Sequence, residues 1–290
     1  MSFDYNSENK MIMKWLFETN AIKVADPESP FWYTSGTLGP YYINTHFLYG
    51  DQDSAESLLK LIEAAAADPL NMPGILVEEI MKQYNSNDIF HRLMDLIIEK
   101  LEEEKFDLIS GGERRDFFFS IPAAVLMNKP HLTILKDMRT LFSSDNFQQT
   151  VWAKDTDLSG LRSIHIADLV TEASSYIRAW IPAIRSLNMK IDKTLAVVDR
   201  CQGGSAILAE QGIDLVTLTS INAELFDQAV NAGLMSLKQQ EMVLEFADDP
   251  HAYMDNFFKS HPDFLSQQIA AGGKSAERAR LCIEQGYGRK

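Results

Sequence analysis

The sequence predicts an α/β protein built on a mainly parallel sheet of doubly wound type, flanked by helices. Short apolar runs alternate with helix-like segments between residues 106 and 221. Strands that are nearly continuous apolar runs are typical of a parallel sheet covered on both faces. In addition, 46% of the 290 residues are hydrophobic, which is enough to bury a large core.

Residues 1–105 predict N-terminal lead-in elements made of helices and short strands. Apolar residues recur at helical spacing over Glu8–Glu18, Asp53–Ala67 and Asp88–Lys105. Phe31–Tyr49 is aromatic and β-branched with glycines inside, which is typical of paired short strands. Asp68–Gly74 contains two prolines and predicts a loop within an insertion near residues 64–85.

Residues 106–222 predict the α/β core. Its five strand-like runs are Phe106–Ser110, His131–Lys136, Ser163–Asp168, Thr194–Asp199 and Leu215–Ile221. The helix-like segments between them are Phe117–Asn128, Ser175–Asn188 and Ser205–Gln211. Residues 223–290 carry no strand pattern and predict a helical C-terminal extension, interrupted at Pro250 and Pro262.

Composition and charge exclude several classes of protein. The 27 Lys and Arg residues stand against 41 Asp and Glu, and the net charge of −14 opposes attraction to nucleic acid or an anionic membrane surface. Apolar runs stay well short of the roughly 18 residues that a membrane helix needs, and the first ten residues lack a signal-peptide layout. Two cysteines fit a reducing compartment, although the pair could still form a disulfide. We expect a cytoplasmic protein.

Polar residues follow three of the predicted core strands. In open α/β sheets ligands bind beyond the carboxyl ends of the strands. Gly111–Asp116 (GGERRD) offers two flexible glycines and two guanidinium groups ahead of a helix, which suits a pyrophosphate. Asp168–Ser175 (DLVTEASS) offers an acid and several hydroxyls, which suit ribose and its 5′-phosphate, and Asp199–Gly204 (DRCQGG) adds an arginine. The sequence therefore predicts a site for a phosphorylated sugar at this edge.

At these residues the chain resembles the orotate phosphoribosyltransferases, which are type I phosphoribosyltransferases. The segment Val197–Gly204 (VVDRCQGG), followed by Leu208–Ile213, is similar to the family's VVDRxQGG…L…GI pattern. Thr34–Gly36 with Pro40–Ile43 is similar to the family's SGxxSPYYID segment. The order and spacing agree over roughly 31–221, so the resemblance implies the type I phosphoribosyltransferase fold with an N-terminal hood.

The resemblance also implies a reaction and roles for individual residues. Phosphoribosyl pyrophosphate, chelating Mg²⁺, would lose pyrophosphate from an oxocarbenium-like centre while a nitrogen of orotate or a related pyrimidine captures the sugar. Arg200 would bind the orotate carboxylate, Asp168 the ribose hydroxyls, and Lys136 and Arg139 would close over pyrophosphate from a mobile loop. Further substrate-binding positions are Gly111, Gly112, Arg114, Arg115, Thr171, Ser174, Ser175, Ser35, Gly36, Tyr41 and Tyr42. The sequence identifies no protein ligand to the metal.

Three departures from the family pattern keep an alternative open. Ala167 stands where the family has a first acid, Ala173 where it has a glycine, and Leu141 where it has a loop histidine. These favour a catalytically weakened relative that binds a nucleotide or pyrimidine as a regulator or partner subunit. A transferase for another base is the third hypothesis, against which the Arg200 segment argues.

The aromatic N-terminal segment and the resemblance together predict assembly. Five aromatic residues fall within one short segment: Phe31, Trp32, Tyr41, Tyr42 and Phe47. That is a large apolar surface for a short segment to bury alone, and the resemblance implies a loop that serves a neighbouring site. We therefore expect a homodimer.

Overall fold

The computed structural model describes residues 5–288, with side chains from residue 7 onward, and the chain divides into two compact units. The first unit contains the chain up to Ala21 together with residues 44–222, and the second contains residues 22–43 and 223 onward. The structure thus joins residues 44–105 to the α/β core and joins residues 22–43 to the C-terminal extension. The sequence predicts boundaries at residues 105 and 222.

The described residues form eleven strands and twelve α-helices. The strands are β1 (Ile22–Val24), β2 (Phe31–Trp32), β3 (Leu38–Gly39), β4 (Tyr41–Ile43), β5 (Leu108–Gly112), β6 (His131–Ile134), β7 (Thr140–Ser144), β8 (Gln149–Trp152), β9 (Arg162–Val170), β10 (Lys190–Asp199) and β11 (Asp214–Ser220). The helices are α1 (Tyr5–Glu18), α2 (Gln52–Ala65), α3 (Met72–Ser86), α4 (Asp88–Leu101), α5 (Phe117–Leu126), α6 (Ile181–Ser186), α7 (Gly204–Glu210), α8 (Ala223–Asn231), α9 (Leu237–Asp248), α10 (Pro250–Ser260), α11 (Phe264–Ala271) and α12 (Gly273–Glu284). Short 3₁₀ helices occupy Thr45–Tyr49 and Ala153–Asp155, and a π-helix occupies Tyr176–Trp180.

The first unit is built on a seven-stranded sheet in the order β11-β10-β9-β5-β6-β7-β8. The strands from β11 to β6 in this order are parallel, and β7 and β8 extend the sheet as antiparallel neighbours. Helix α5 packs on β5 and β9, α6 on β10, and α7 on β11. The predicted α/β class with a mainly parallel sheet is therefore confirmed.

Burial explains why these segments form strands. Every residue of β5 and β6 is buried, as expected for strands in the centre of a sheet that is covered on both faces. One hydrophobic cluster of the unit combines strand residues such as Ala167 and Ala196 with Tyr176 and Ile184 from the helical layer. The sheet thereby fixes the direction in which each strand end points.

Two parts of the first unit differ from the sequence-based expectations. The loop predicted over Asp68–Gly74 ends at Asn71, because α3 begins at Met72. Pro73 fits in the first turn of this helix, where backbone N–H groups have no partner within the helix. The strands β7 and β8 were not predicted. Residues of β7 alternate between half-buried and buried positions and those of β8 between exposed and half-buried positions, as in half-covered antiparallel strands, and neither strand is a continuous apolar run.

The second unit combines short strand pairs with the C-terminal helices. Strand β1 pairs with β4, and β2 pairs with β3, both antiparallel. Trp32 and Leu38 from these strands join a hydrophobic cluster with helical residues such as Met254 and Phe257. The residues after Ala223 are helical, as the sequence predicts, and among the residues described here no helix is long and apolar enough to cross a membrane.

Candidate active site

Three of the predicted site residues lie at the carboxyl edge of the parallel sheet. Asp168 is near the end of β9, Arg115 is in the turn after β5, and Arg200 directly follows β10. The backbone N–H of Arg200 donates to the carbonyl of Val170 at 2.9 Å, which joins the ends of β9 and β10. Burial raises the pKa of Asp168, and the positive charge of Arg115 partly offsets this rise.

A second carboxyl group, Asp116, lies beside Asp168. Both side chains are buried, with relative exposures of 2% for Asp116 and 8% for Asp168. Burial raises the pKa of both carboxyl groups, and the charge of Asp116 raises the pKa of Asp168 further. The carboxyl edge therefore holds two acids in a poorly solvated place with Arg115 as a nearby cation, an arrangement typical of functional sites.

The two glycines predicted as a flexible anion-binding turn are part of strand β5, which corrects that expectation. Gly111 and Gly112 are buried and pair with β6, and the Gly112 N–H donates to Oδ2 of Asp116 at 3.0 Å. A Cβ at Gly112 would lie 2.0 Å from Nε1 of Trp180, and one at Gly111 would lie 2.0 Å from Oγ of Ser120. These glycines are required for close packing, so the turn itself is residues 113–116.

The predicted phosphate turn lines an open cavity of about 280 Å³. Its walls are residues 169–176 and Trp180, so the hydroxyl residues Thr171, Ser174 and Ser175 all border it. Ala173 adopts the left-handed region with φ of 51°, a conformation that glycine adopts more easily. The carbonyl of Thr171 accepts the N–H of Gly204 at 2.9 Å, which fixes this turn against the segment after Arg200.

The predicted mobile loop of Lys136 and Arg139 is a tight turn between β6 and β7 in this structure. The N–H of Leu135 donates to the carbonyl of Arg139 at 2.9 Å, which closes the turn. Lys136 is exposed at the carboxyl end of β6, and its N–H donates to Oε2 of Glu113 at 2.9 Å.

The Arg139 guanidinium contacts neither acid of the site in this structure. It pairs with Asp137 at 2.7 Å and lies 4.9 Å from the ring centroid of Trp152. In this structure the Arg139 side chain is held by its own hairpin, and its role at pyrophosphate stays a prediction.

Arg114 and four N-terminal residues make other contacts. Arg114 forms an ion pair with Glu63 of α2. The remaining predicted residues, Ser35, Gly36, Tyr41 and Tyr42, belong to the second unit. There a Cβ at Gly36 would lie 2.7 Å from Cβ of Leu281, and Gln285 of the following turn donates to the Ser35 carbonyl at 2.7 Å. The predicted hood segment is thus covered by residues of the C-terminal extension.

Three residues of this edge carry chemistry that the sequence did not reveal. Asp116 is the last residue of the GGERRD segment, but nothing in the sequence predicts that it lies next to Asp168. Trp180 borders the cavity and stacks on His165 with ring centroids 4.5 Å apart. His46 is buried, and desolvation together with the charges of Arg115 and Arg114 lowers its pKa to about 3, so the ring is neutral.

Comparisons with known proteins agree with this geometry. No family model matches the chain. The orotate phosphoribosyltransferase of Sulfurisphaera tokodaii is 23% identical over 168 residues, covering 58% of this chain and 82% of that relative. The adenine phosphoribosyltransferase of Histophilus somni is 22% identical over 174 residues, covering 57% of this chain and 97% of that relative.

A solved structure shares the fold. The UMP synthase of Leishmania donovani superposes with a TM-score of 0.55 at 17% identity, covering 82% of this chain. The chain spans only 42% of that structure's length. The chain thus has the type I phosphoribosyltransferase fold, and over more than half of its length its sequence is similar to phosphoribosyltransferases. The curated relatives include both orotate and adenine phosphoribosyltransferases.

Proposed function

We propose that the chain transfers a phosphoribosyl group from phosphoribosyl pyrophosphate to a pyrimidine base, with orotate as the leading acceptor. The observation that carries the proposal is the meeting of Asp168, Arg115, Arg200 and the hydroxyl-lined cavity at one edge of a parallel sheet. Sugar hydroxyls, pyrophosphate, a base carboxylate and a 5′-phosphate are the groups that these side chains recognise. The phosphoribosyltransferase class rests on the relatives as well, and the choice of orotate rests on Arg200.

Each residue has a role in this proposal. Asp168 accepts hydrogen bonds from ribose hydroxyls, and Thr171, Ser174 and Ser175 hold the 5′-phosphate. Arg115 stabilises the charge that develops on departing pyrophosphate, and Lys136 adds a second cation from the neighbouring strand end. Catalysis is then mainly positioning and charge stabilisation.

Magnesium enters as part of the co-substrate in this scheme. Among residues 5–288, no group of three or more His, Cys, Asp and Glu side chains is arranged to hold a metal ion. The pyrophosphate oxygens of the co-substrate would bind Mg²⁺ in this scheme, as the resemblance implies. We also propose that the protein is a homodimer and that it lies in the cytoplasm. Sedimentation at micromolar protein concentration tests the homodimer.

Isothermal titration tests the function directly. We expect the protein to bind phosphoribosyl pyrophosphate with Mg²⁺. Orotate should then bind to that complex or to the complex of the protein with pyrophosphate. Adenine is titrated in parallel, because relatives of the adenine type match the chain equally far along its length. Turnover is followed as pyrophosphate release with each base.

Arg200→Ala separates the bases. Removal of a guanidinium that pairs with a carboxylate costs about 2 to 3 kcal/mol, so orotate affinity should fall roughly a hundredfold while phosphoribosyl pyrophosphate affinity is kept. Binding of adenine but not orotate would reassign the acceptor. If wild-type protein saturated with co-substrate binds a pyrimidine but does not turn it over, the result would instead support the alternative of a catalytically weakened regulator or partner subunit.

A further inference from the structure

Asp116 is a buried carboxyl group to which the proposed reaction assigns no role. Its Oδ2 accepts the N–H of Gly112 at 3.0 Å, and its Oδ1 accepts the N–H of Asp168 at 3.1 Å. Gly112 ends β5, and Asp168 lies two residues from the end of β9. One side chain therefore binds the ends of two neighbouring strands.

The sheet explains why a carboxyl group is needed there. The pairing of β5 with β9 runs from Leu108 with Ser163 to Ser110 with His165. Beyond that pair the two strands separate, although both continue towards the carboxyl edge. A buried backbone N–H without an acceptor is costly, and Asp116 supplies the acceptor to one N–H on each strand.

We propose that Asp116 is the positioning residue of the site, fixing the backbone of Asp168 and setting the charge on the Asp168 carboxyl group. The first part follows from the two hydrogen bonds above. The second follows from the burial of two carboxyl groups side by side. The inference rests on the proposed function, because Asp168 is the group that it would present to ribose.

The surroundings of Asp116 contain few groups that could balance a second negative charge. Those that face it are Arg115 in its own turn, Asp168 and His165 from β9, and Tyr176 from the π-helix. Nε2 of His165 lies 3.5 Å from Oδ2 of Asp116, but burial lowers the pKa of His165 to about 3, so the ring is neutral. Burial also raises the pKa of Tyr176, which keeps that phenol neutral. Arg115 is therefore the one cation in this group of neighbours.

The test measures the titration of Asp168 directly by ¹³C NMR of its carboxyl carbon in the ligand-free protein. In Asp116→Asn the neighbouring negative charge is removed while the shape is kept, so the Asp168 midpoint should fall by about one pH unit or more. The midpoint of the pH dependence of phosphoribosyl pyrophosphate binding, measured with Mg²⁺, should also move to lower pH. Affinity at high pH should also weaken, by roughly tenfold, because the Asp168 backbone is less well held.

Asp107→Asn is the matched control. Oδ2 of Asp107 accepts the N–H of Arg162 at 2.7 Å, so this carboxylate also joins β5 to β9, but at the opposite edge of the sheet. Asp107→Asn should leave the Asp168 midpoint and the binding profile unchanged. Asp116→Ser, which is smaller and also neutral, provides a second variant if Asp116→Asn folds poorly, and it should lower the midpoint too.

The outcomes separate this inference from the transferase function. An Asp168 midpoint that stays at its wild-type value in folded Asp116→Asn or Asp116→Ser would overturn the positioning role. If the midpoint falls but wild-type protein binds no phosphoribosyl pyrophosphate at any pH, the positioning role stands and the proposed function fails.

Discussion

The two edges of the parallel sheet treat charge in opposite ways. At the amino edge, Lys193 contacts both carboxylate oxygens of Glu104 at 2.7 Å, and Arg162 pairs with Asp192 at 3.0 Å. These side chains stay partly exposed around an open cavity of about 400 Å³. At the carboxyl edge, Asp116 and Asp168 are buried together.

The difference favours the carboxyl edge as the proposed ligand site. Opposite charges that pair in contact with water satisfy one another and contribute little to stability. Like charges held together under burial cost stability, and a ligand that brings hydroxyl groups and cations relieves that cost. The size of a cavity is therefore a weaker indication of a binding site here than the burial of two acids at the same edge.

Asp168→Asn should give the largest difference between the edges. Loss of a charge-assisted hydrogen bond to the sugar costs about 2 to 3 kcal/mol, so the affinity for phosphoribosyl pyrophosphate with Mg²⁺ should fall roughly a hundredfold. The same change should stabilise the fold at pH 8 by roughly 1 kcal/mol, since one of two buried like charges is removed. Titration calorimetry and urea unfolding measure the two effects.

The sign of the stability effect depends on pH. The pKa of Asp168 is raised in the folded protein, so ionisation costs stability as pH rises from about 4 through the folded pKa. The gain in Asp168→Asn should thus be largest at pH 8 and small near pH 4. Lys193→Met at the amino edge should cost under about 1 kcal/mol and leave binding unchanged. Equal losses of binding in both variants would refute the contrast between the edges.

Much of the carboxyl edge could be predicted from the sequence. Apolar runs end where chemistry-bearing residues begin, and parallel strands bring such ends to one edge, so Arg115, Asp168 and Arg200 could be grouped from the sequence alone. The Asp116 contact could not, because it joins residues 52 apart through the separation of two strands. A local pattern carries no information on where a strand pair stops.

The glycines and the hairpin show the same limit. Two glycines ahead of a helix favour a flexible turn, but Gly112 pairs with Ile134 as part of β5. The close approach of Trp180, far along the chain, explains why this residue is a glycine. Strands β7 and β8 were not predicted, because a search for continuous apolar runs does not detect strands whose burial alternates along the chain. Packing partners and antiparallel edge strands were therefore the parts that sequence reasoning missed.

Gly112→Ala compared with Gly212→Ala should give the next largest difference. A Cβ at Gly112 would overlap Trp180, so overpacking should cost about 1 to 3 kcal/mol in urea unfolding. Gly212, at the amino edge, has φ of 72° and open space around it, so its substitution should cost only the left-handed strain of about 1 kcal/mol. Trp180→Leu in the Gly112→Ala background should recover part of the loss. No recovery would mean that the close approach of Trp180 is not the reason for a glycine.

The smallest effect is expected at the two alanines that depart from the family pattern. Ala167 is fully buried in the hydrophobic cluster on the sheet, so an acid there would be forced into the core. Ala173 differs, because it lies in the phosphate turn with φ of 51°. Only the second position can be changed to the family residue without placing a charge in the core.

Ala173→Gly relieves left-handed strain of roughly 1 to 2 kcal/mol but removes a buried methyl group and adds backbone freedom, each worth about 0.5 to 1 kcal/mol. Stability should therefore change by less than about 1 kcal/mol. Affinity for phosphoribosyl pyrophosphate should rise by less than about tenfold, since the backbone amides become easier to approach. Ala179→Gly, in the adjoining π-helix, is the control and should lower stability by about 1 kcal/mol without raising affinity. A fall in affinity for Ala173→Gly would show instead that the alanine methyl group holds the turn in its binding shape, and that this site is adapted to alanine.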